Sequence, residues 1–171
     1  MKFFVVGIFC LLCTVVWAEG DVTPANEEDV EPEVVSIKIF TYEDDTYGIG
    51  LYEKVNWHQA ELLCASQSST LVSLTSEILY NEILEWIRSM ANDDLPTIAE
   101  DPIWTSGNNL GDGSLYYWQG TGGPVYYNNF RNKSYSHSAC IGFNAVTGYW
   151  TEHECRESHY FMCQKYSKQI C

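Results

Sequence analysis

Residues 140–163 limit what this chain can fold into more than any other part of the sequence. They contain three cysteines, Trp150 and an aromatic pair that ends at Phe161. This spacing is typical of a short strand, a turn and a second strand that are held together covalently in an exported protein. We therefore expect Trp150 and Phe161 to face a common interior.

The amino-terminal residues indicate that the chain is exported. A lysine precedes an apolar run over residues 3–16, and Ala18 lies where a signal peptidase recognises small side chains. We interpret residues 1–18 as a signal peptide, which makes the mature protein secreted and extracellular. No later stretch approaches the roughly 20 apolar residues that a transmembrane helix needs, so we expect no membrane insertion.

Acidic residues dominate segment 19–34, which also contains Pro24 and Pro32. The segment has too little apolar material to offset the entropy of ordering it, so we interpret it as a flexible acidic arm before a domain at 35–171. The formal net charge of the chain is −14. Nucleic-acid binding requires clustered Lys and Arg, and this charge therefore argues against a nucleic-acid partner.

Two helices are expected in the first half of the domain. Asn56 can accept a hydrogen bond from a free backbone donor, and Gln59 completes a capping box. Cys64 would lie on the buried face of this helix. A second helix begins at Thr75 or Ser76. Its apolar residues follow helical spacing and are Leu79, Ile83, Trp86, Ile87 and Met90.

Strands are expected mainly in the second half. Segment 35–40 alternates apolar and polar residues, and segment 71–74 is a short apolar strand candidate. After residue 102, aromatic residues are interrupted by glycine and asparagine, which is typical of short strands joined by turns. Two helices followed by a strand-rich, disulfide-closed half predict an α+β domain.

Several separated motifs together resemble the C-type lectin-like domain family. They are Trp57-x-x-Ala60-x-x-x-Cys64, Trp104-Thr105-Ser106-Gly107, Trp118-x-x-Thr121-Gly122-x-Pro124, and the set Cys140, Trp150, Cys155 and Tyr160-Phe161-Met162-Cys163. The run over 104–113 is similar to secreted arthropod members, including insect lectins. The resemblance covers roughly residues 40–165. It implies a C-type lectin-like fold with two helices, antiparallel sheets and two intradomain disulfides.

The family pattern also implies which cysteines pair. Cys64 would bond to Cys163 and join the first helix to the last strand, whereas Cys140 would bond to Cys155 and brace the final sheet. Cys171 is then left over from the five cysteines beyond the signal peptide. An odd cysteine in a secreted chain is free or pairs with another chain, so Cys171 is the candidate for a covalent partner.

Sugar-binding members of the family hold calcium, which needs about six to eight converging oxygen ligands. The family provides a Glu-Pro-Asn or Gln-Pro-Asp triplet, a carboxylate two residues before the cysteine at 140, and an Asn-Asp pair after the tryptophan. Here segment 131–139 has no such triplet. Ser138 stands where the family has the carboxylate before the cysteine, and Thr151 and Glu152 replace the Asn-Asp pair after the tryptophan. A further family calcium site would use Asn108 and Asp112, but its other carboxylates are missing. We therefore expect no cofactor and no high-affinity calcium, with weak calcium binding left open.

Basic side chains occupy the segment where the triplet is missing. The candidate ligand-binding residues are Arg131, Lys133, Tyr135 and His137, together with Thr151 and Glu152. Arginine can form bidentate hydrogen bonds with sulfate or carboxylate groups, and a tyrosine ring can stack on a sugar. The alternative is a solvated loop, because Asn132 begins an N-glycosylation sequon and its glycan would cover this surface.

Catalysis is not expected. The histidines are scattered, His153-Glu154 is not followed by a histidine at the spacing of a zinc-binding helix, and no Gly-x-Ser-x-Gly motif is present. We expect a secreted binding protein that recognises glycans or glycoproteins, microbial glycans among them, without the usual calcium triplet. The alternative is a calcium-independent protein-interaction module, disulfide-linked to a partner chain through Cys171.

Overall fold

The computed structural model describes residues 37–90, 98, 101–131 and 138–166. They contain two helices, α1 (Trp57–Ser66) and α2 (Glu77–Arg88). They also contain the strands β1 (Ile37–Tyr42), β2 (Asp45–Val55), β3 (Thr70–Leu71), β4 (Ile103–Asn108), β5 (Tyr117–Trp118), β6 (Ala139–Phe143), β7 (Trp150–Glu154) and β8 (His159–Lys165). The chain divides into the units Met1–Glu33 and Val34–Cys171, and the described residues belong to the second. No helix among them is long and apolar enough to cross a membrane.

The strands form one connected sheet in the order β1-β2-β8-β4-β6-β7, with β3 paired to β8 and β5 to β4. All of these pairs are antiparallel except β4 and β8, which run parallel. Parallel neighbours need a long crossover, and segment 109–158 provides it. The predicted α+β class is confirmed, with a mixed sheet.

Both helices begin at predicted caps. The Asn56 side chain accepts the backbone N–H of Gln59 at 3.0 Å, and the Gln59 side chain accepts the N–H of Asn56 at 3.3 Å. At α2 the Ser76 hydroxyl accepts the N–H of Leu79 at 3.2 Å, so Ser76 is the cap and Thr75 is not. The predicted stripe on α2 packs on the core: Leu79, Ile83 and Ile87 are buried, and Trp86 and Met90 are partly buried.

The predicted strand at 71–74 is shorter in the structure. After β3, the N–H of Val72 still donates to Met162 O on β8, but the carbonyl of Val72 accepts the N–H of Ser106 on β4. The next N–H, that of Ser73, donates to the Gln164 side chain at 3.1 Å. The backbone therefore leaves the ladder with β8 at this point and bridges two strands.

The core consists of two packed clusters. The larger cluster surrounds Trp150 and includes the buried face of α2. The second surrounds Phe161 and includes Trp57, Trp104 and both disulfides. Trp150 and Phe161 are both buried, but they belong to different clusters, so the expectation that they face a common interior is wrong.

Both implied disulfides are confirmed. Cys64 bonds to Cys163 with a Cα–Cα distance of 5.5 Å and joins α1 to β8. Cys140 bonds to Cys155 with a Cα–Cα distance of 5.1 Å and joins β6 to the turn after β7. Cys171 lies outside the described residues, so its role stays a prediction.

Candidate functional site

The predicted ligand-binding residues fall in three parts of the chain. Arg131 ends the described segment 101–131, and Thr151 and Glu152 lie on β7. The other three, Lys133, Tyr135 and His137, lie outside the described residues, as does the predicted glycosylation site Asn132. Their roles stay predictions.

Thr151 and Glu152 do not point to one site. Successive side chains of a strand point to opposite faces. The Thr151 hydroxyl lies 2.7 Å from His153 Nε2, whereas Glu152 Oε1 accepts the Tyr116 hydroxyl at 2.6 Å. The structure therefore separates two neighbours in sequence that were predicted to act together.

Glu152 and Tyr116 form a half-buried polar pair. Burial, together with the hydrogen bond to Glu152, raises the pKa of Tyr116, so its hydroxyl keeps its proton and remains a donor. The other carboxylate oxygen, Glu152 Oε2, is buried and has no hydrogen-bond partner in the described part of the chain. One oxygen of Glu152 thus accepts a hydrogen bond, and the second is buried without a partner among the described residues.

A groove of about 230 Å³ opens beside this pair, and we call it the loop groove. It is lined by Ser114, Leu115, Tyr116, Pro124, Val125, Tyr126, Asn128 and Phe130. Tyr126 is 87% exposed and Leu115 56% exposed. A mostly apolar lining with a few polar groups is typical of small-ligand sites. The aromatic-rich segment 115–130 was the signal for it in the sequence, although it was interpreted there as strands and turns.

Trp150 positions the wall of the loop groove. Its backbone N–H donates to Asn129 O at 3.0 Å. The rings of Phe130 and Tyr127 pack edge-on against its indole, with centroids 5.7 and 5.4 Å away. Beyond Phe130, the guanidinium of Arg131 lies 5.7 Å from the ring centroid of Tyr149. Arg131 is exposed, so this cation–π contact leaves its hydrogen-bond donors available to solvent.

Three described side chains at the family's calcium positions already accept hydrogen bonds from the protein, and they are Asn108, Asp112 and Glu152. Glu152 is hydrogen-bonded to Tyr116, and Asn108 Oδ1 accepts the N–H of Leu110 at 3.1 Å. Asp112 Oδ1 accepts backbone N–H groups within its own loop at 2.8 and 2.9 Å, bonds that also lower its pKa. The Asn108 and Asp112 oxygens thus bond within their own turns, and the Glu152 oxygen bonds to a distant tyrosine, whereas calcium requires several oxygens that converge on one point.

Three other side chains come together where β7 turns into β8. Ligand atoms of His153, Glu157 and His159 all lie within 4.8 Å of one another, which among the described residues is the one such group of His, Cys, Asp and Glu. We call it the His–Glu cluster. The interpretation of the histidines as scattered is wrong for this pair, whose ring centroids are 4.8 Å apart. The signal in the sequence was His-x-x-x-Glu-x-His across a strand, turn and strand.

The two histidines of the His–Glu cluster are largely shielded from water, whereas Glu157 is exposed. The Trp104 indole packs edge-on against His159 and His153, with centroids 4.7 and 5.8 Å away. Burial, followed by the nearby His153, lowers the pKa of His159, so that its imidazole is neutral near pH 7. Asp101 Oδ1 lies 3.9 Å from His159 Nδ1, and the same carboxylate forms an ion pair with Lys54.

Comparisons with known proteins agree with this architecture. A family model described as the lectin C-type domain matches residues 53–165. The mouse scavenger receptor C-type lectin carbohydrate-recognition domain is similar, with 23% identity, a TM-score of 0.61, and coverage of 78% of this chain and 97% of that chain. A calcium-independent type II antifreeze protein has 19% identity, a TM-score of 0.60, and coverage of 77% and 96%. The protein in an SPL-1–GlcNAc complex has 19% identity, a TM-score of 0.61, and coverage of 74% and 91%.

Proposed function

The chain belongs to the lectin C-type domain family, and from that membership we propose that it is a secreted carbohydrate-binding protein that uses the loop groove without calcium. The observation that carries the proposal is the loop groove, whose apolar lining includes the exposed ring of Tyr126. A sugar ring presents an apolar face and a rim of hydroxyl groups. An aromatic surface bordered by amide and hydroxyl groups suits both.

Polar groups around the loop groove would orient the sugar. Asn128 and Ser114 belong to its lining, as does Tyr116, whose hydroxyl donates to Glu152. Arg131, next to Phe130, adds a guanidinium that can form bidentate hydrogen bonds with a sulfate or carboxylate group. We therefore propose glycans with anionic substituents as the ligand class, including microbial ones, and propose no catalytic activity.

Independence from calcium is supported by how the available oxygens are used. Glu152 is the one carboxylate kept at the family's sugar-binding positions, and Tyr116 already donates to it at 2.6 Å. Thr151, where the family has an amide, interacts with His153 instead. The similar fold of a protein described as a calcium-independent type II antifreeze protein indicates that the scaffold tolerates loss of the ion in that case.

A glycan array run on the mature chain in calcium and again in chelator tests both parts of the proposal. We expect binding that chelator leaves unchanged and that Tyr126→Ala weakens about five- to tenfold, because the variant removes an exposed aromatic surface. Arg131→Ala should weaken binding to sulfated and carboxylated glycans selectively. Leu62→Ala is the matched control, since Leu62 is 71% exposed on α1.

Three results would contradict parts of this proposal. Binding that is lost in chelator would show that calcium is needed. Equal losses in Tyr126→Ala and Leu62→Ala would remove the loop groove as the site. A wild-type chain that binds no glycan would overturn the carbohydrate proposal and favour the protein-interaction module.

A further inference from the structure

We propose that the His–Glu cluster is a zinc site, in which His153 Nδ1, His159 Nε2 and the Glu157 carboxylate bind one Zn²⁺. This goes beyond the carbohydrate-binding function and does not depend on it. It also departs from the sequence expectation that the chain holds no metal. The donor set of two imidazoles and one carboxylate suits zinc, whereas calcium prefers oxygen ligands alone.

The spacing of the donor atoms matches a tetrahedral ion. Zinc binds imidazole nitrogen and carboxylate oxygen at about 2.0–2.1 Å, which places two ligands of a tetrahedron about 3.3 Å apart. Glu157 Oε2 lies 3.2 Å from His153 Nδ1 and 3.3 Å from His159 Nε2. All three ligand atoms lie within 4.8 Å of one another. Small side-chain shifts are therefore enough to close three corners of the tetrahedron.

An unpartnered buried nitrogen provides an independent observation. His159 is 8% exposed, and its Nδ1 has no hydrogen-bond partner among the described residues. If Nε2 carries the proton and donates to Glu157, Nδ1 is left as a buried acceptor without a donor, which costs free energy. When zinc takes the lone pair of Nε2, the proton moves to Nδ1, on the side of the Asp101 carboxylate, whose Oδ1 is 3.9 Å away. A side-chain shift that closes this distance to a hydrogen bond would give the buried nitrogen a partner.

Groups behind the imidazoles fit the same assignment. Metal-binding histidines usually donate their second ring N–H to an oxygen, which fixes the tautomer and the ring orientation. His153 Nε2 lies 2.7 Å from the Thr151 hydroxyl, so its Nδ1 can present a lone pair to the metal. Asp101 offers a carboxylate to the second nitrogen of His159. Each proposed imidazole ligand therefore has an oxygen on its far side.

The turn between β7 and β8 holds the carboxylate in place. Glu157 Oε1 accepts the backbone N–H of Glu154 at 3.0 Å, which leaves Oε2 directed at both imidazoles. Cys155, in the same turn, is fixed by its disulfide to Cys140 and by the backbone N–H of Trp57, which donates to the Cys155 carbonyl at 3.1 Å. The Glu157 side chain is 45% exposed. The fourth zinc position therefore opens to solvent and would be taken by water.

Isothermal titration of the tag-free mature chain with Zn²⁺ tests the site. We expect one zinc per chain, and an affinity that His153→Gln and Glu157→Gln each lower at least about 100-fold. Thr151→Val should lower it by about 10–100-fold, as expected for loss of an outer hydrogen-bond partner. His58→Gln is the matched control, because His58 is exposed on α1 and lies outside the His–Glu cluster. Replacing zinc with Co²⁺ should give the intense visible absorption of a tetrahedral ion.

The exposed position of Glu157 keeps the test decisive even if a histidine variant fails to fold. Binding of well below one zinc per wild-type chain would overturn the proposal. So would a Glu157→Gln chain that binds zinc as tightly as wild type. An equal loss of affinity in His58→Gln would place the metal elsewhere, and a weak octahedral cobalt spectrum would exclude the proposed coordination.

Discussion

Replacing Glu61 by glutamine should remove a pH-dependent loss of stability. Glu61 lies half-buried on α1, and burial raises its pKa to about 7 from 4.5, against the opposing effect of a backbone hydrogen bond from Leu71. Its Oε1 is buried and has no hydrogen-bond partner in the described residues. The folded state therefore favours the protonated acid, and ionising Glu61 in place costs free energy.

The sign and size of the effect follow from linkage. Because the folded pKa lies above the unfolded value, the folded state holds this proton more tightly, and stability falls as pH rises from about 4.5 through 7. Above that range the loss is complete. The difference between the two pKa values corresponds to at most about 3.4 kcal/mol, which solvent screening of a half-buried group reduces to about 1–2 kcal/mol.

Urea unfolding followed by tryptophan fluorescence, at pH values between 4 and 8, measures this loss. The free energy of unfolding of Glu61→Gln minus that of wild type should grow by about 1–2 kcal/mol from pH 4.5 to 7.5. Taking this difference cancels the titration of other groups. Glu82→Gln, at an exposed position on α2, is the matched control for removing one carboxylate. A difference for Glu61→Gln that changes with pH no more than that of Glu82→Gln would refute the reasoning.

Three further predictions concern packing and crosslinks. Gly107→Ala would bring a Cβ to 2.7 Å from Ile141 Cδ1, so thermal unfolding should show a loss of stability of about 1–3 kcal/mol. The control Gly111→Ala, whose Cβ would meet no atom within 4 Å, should change stability by less than about 0.5 kcal/mol. Replacing Cys64 and Cys163 by alanine should lower the free energy of unfolding by about 4.7 kcal/mol, because this bond closes a separation of 99 residues. Replacing Cys140 and Cys155, which are 15 residues apart, should lower it by about 3 kcal/mol. Equal losses in denaturant titrations would contradict the loop-closure account. Non-reducing electrophoresis of the secreted chain should show a covalent complex that Cys171→Ser abolishes, and a wild-type monomer without reductant would exclude the partner chain.

Local features were predictable because the atoms involved are close in sequence. The caps at Asn56 and Ser76 each join residues three apart, so residue type and spacing were sufficient. The opposite orientations of the Thr151 and Glu152 side chains were also predictable, because successive side chains of a strand point to opposite faces. The cysteine pairing came from the family resemblance, because spacing alone leaves several pairings open.

Features that depend on the order of strands in the sheet were not predictable from local patterns. Trp150 and Phe161 belong to different clusters, and which cluster each residue joins depends on packing between elements that are distant in sequence. The meeting of His153 and His159 depends on the path of the turn at 155–158 and on the packing of Trp104 against both rings. The loop groove depends on the contacts of Trp150 with Tyr127, Asn129 and Phe130, from which it is separated in sequence by β6. Long-range geometry of this kind leaves little trace in residue spacing.

The central position of β8 has a consequence for biosynthesis. β8 follows the other helices and strands in chain order, yet it pairs with β2, β3 and β4. Pairing between segments so far apart in sequence is slow to form, because the intervening loop must close before any contact forms. During synthesis, the edges of β2 and β4 that pair with β8 therefore stay unpaired until β8 emerges from the ribosome, and the bond between Cys64 and Cys163 cannot form before then. The sheet and this disulfide can therefore be completed only when nearly the whole domain has been synthesised, and the unpaired edges are open to aggregation until then.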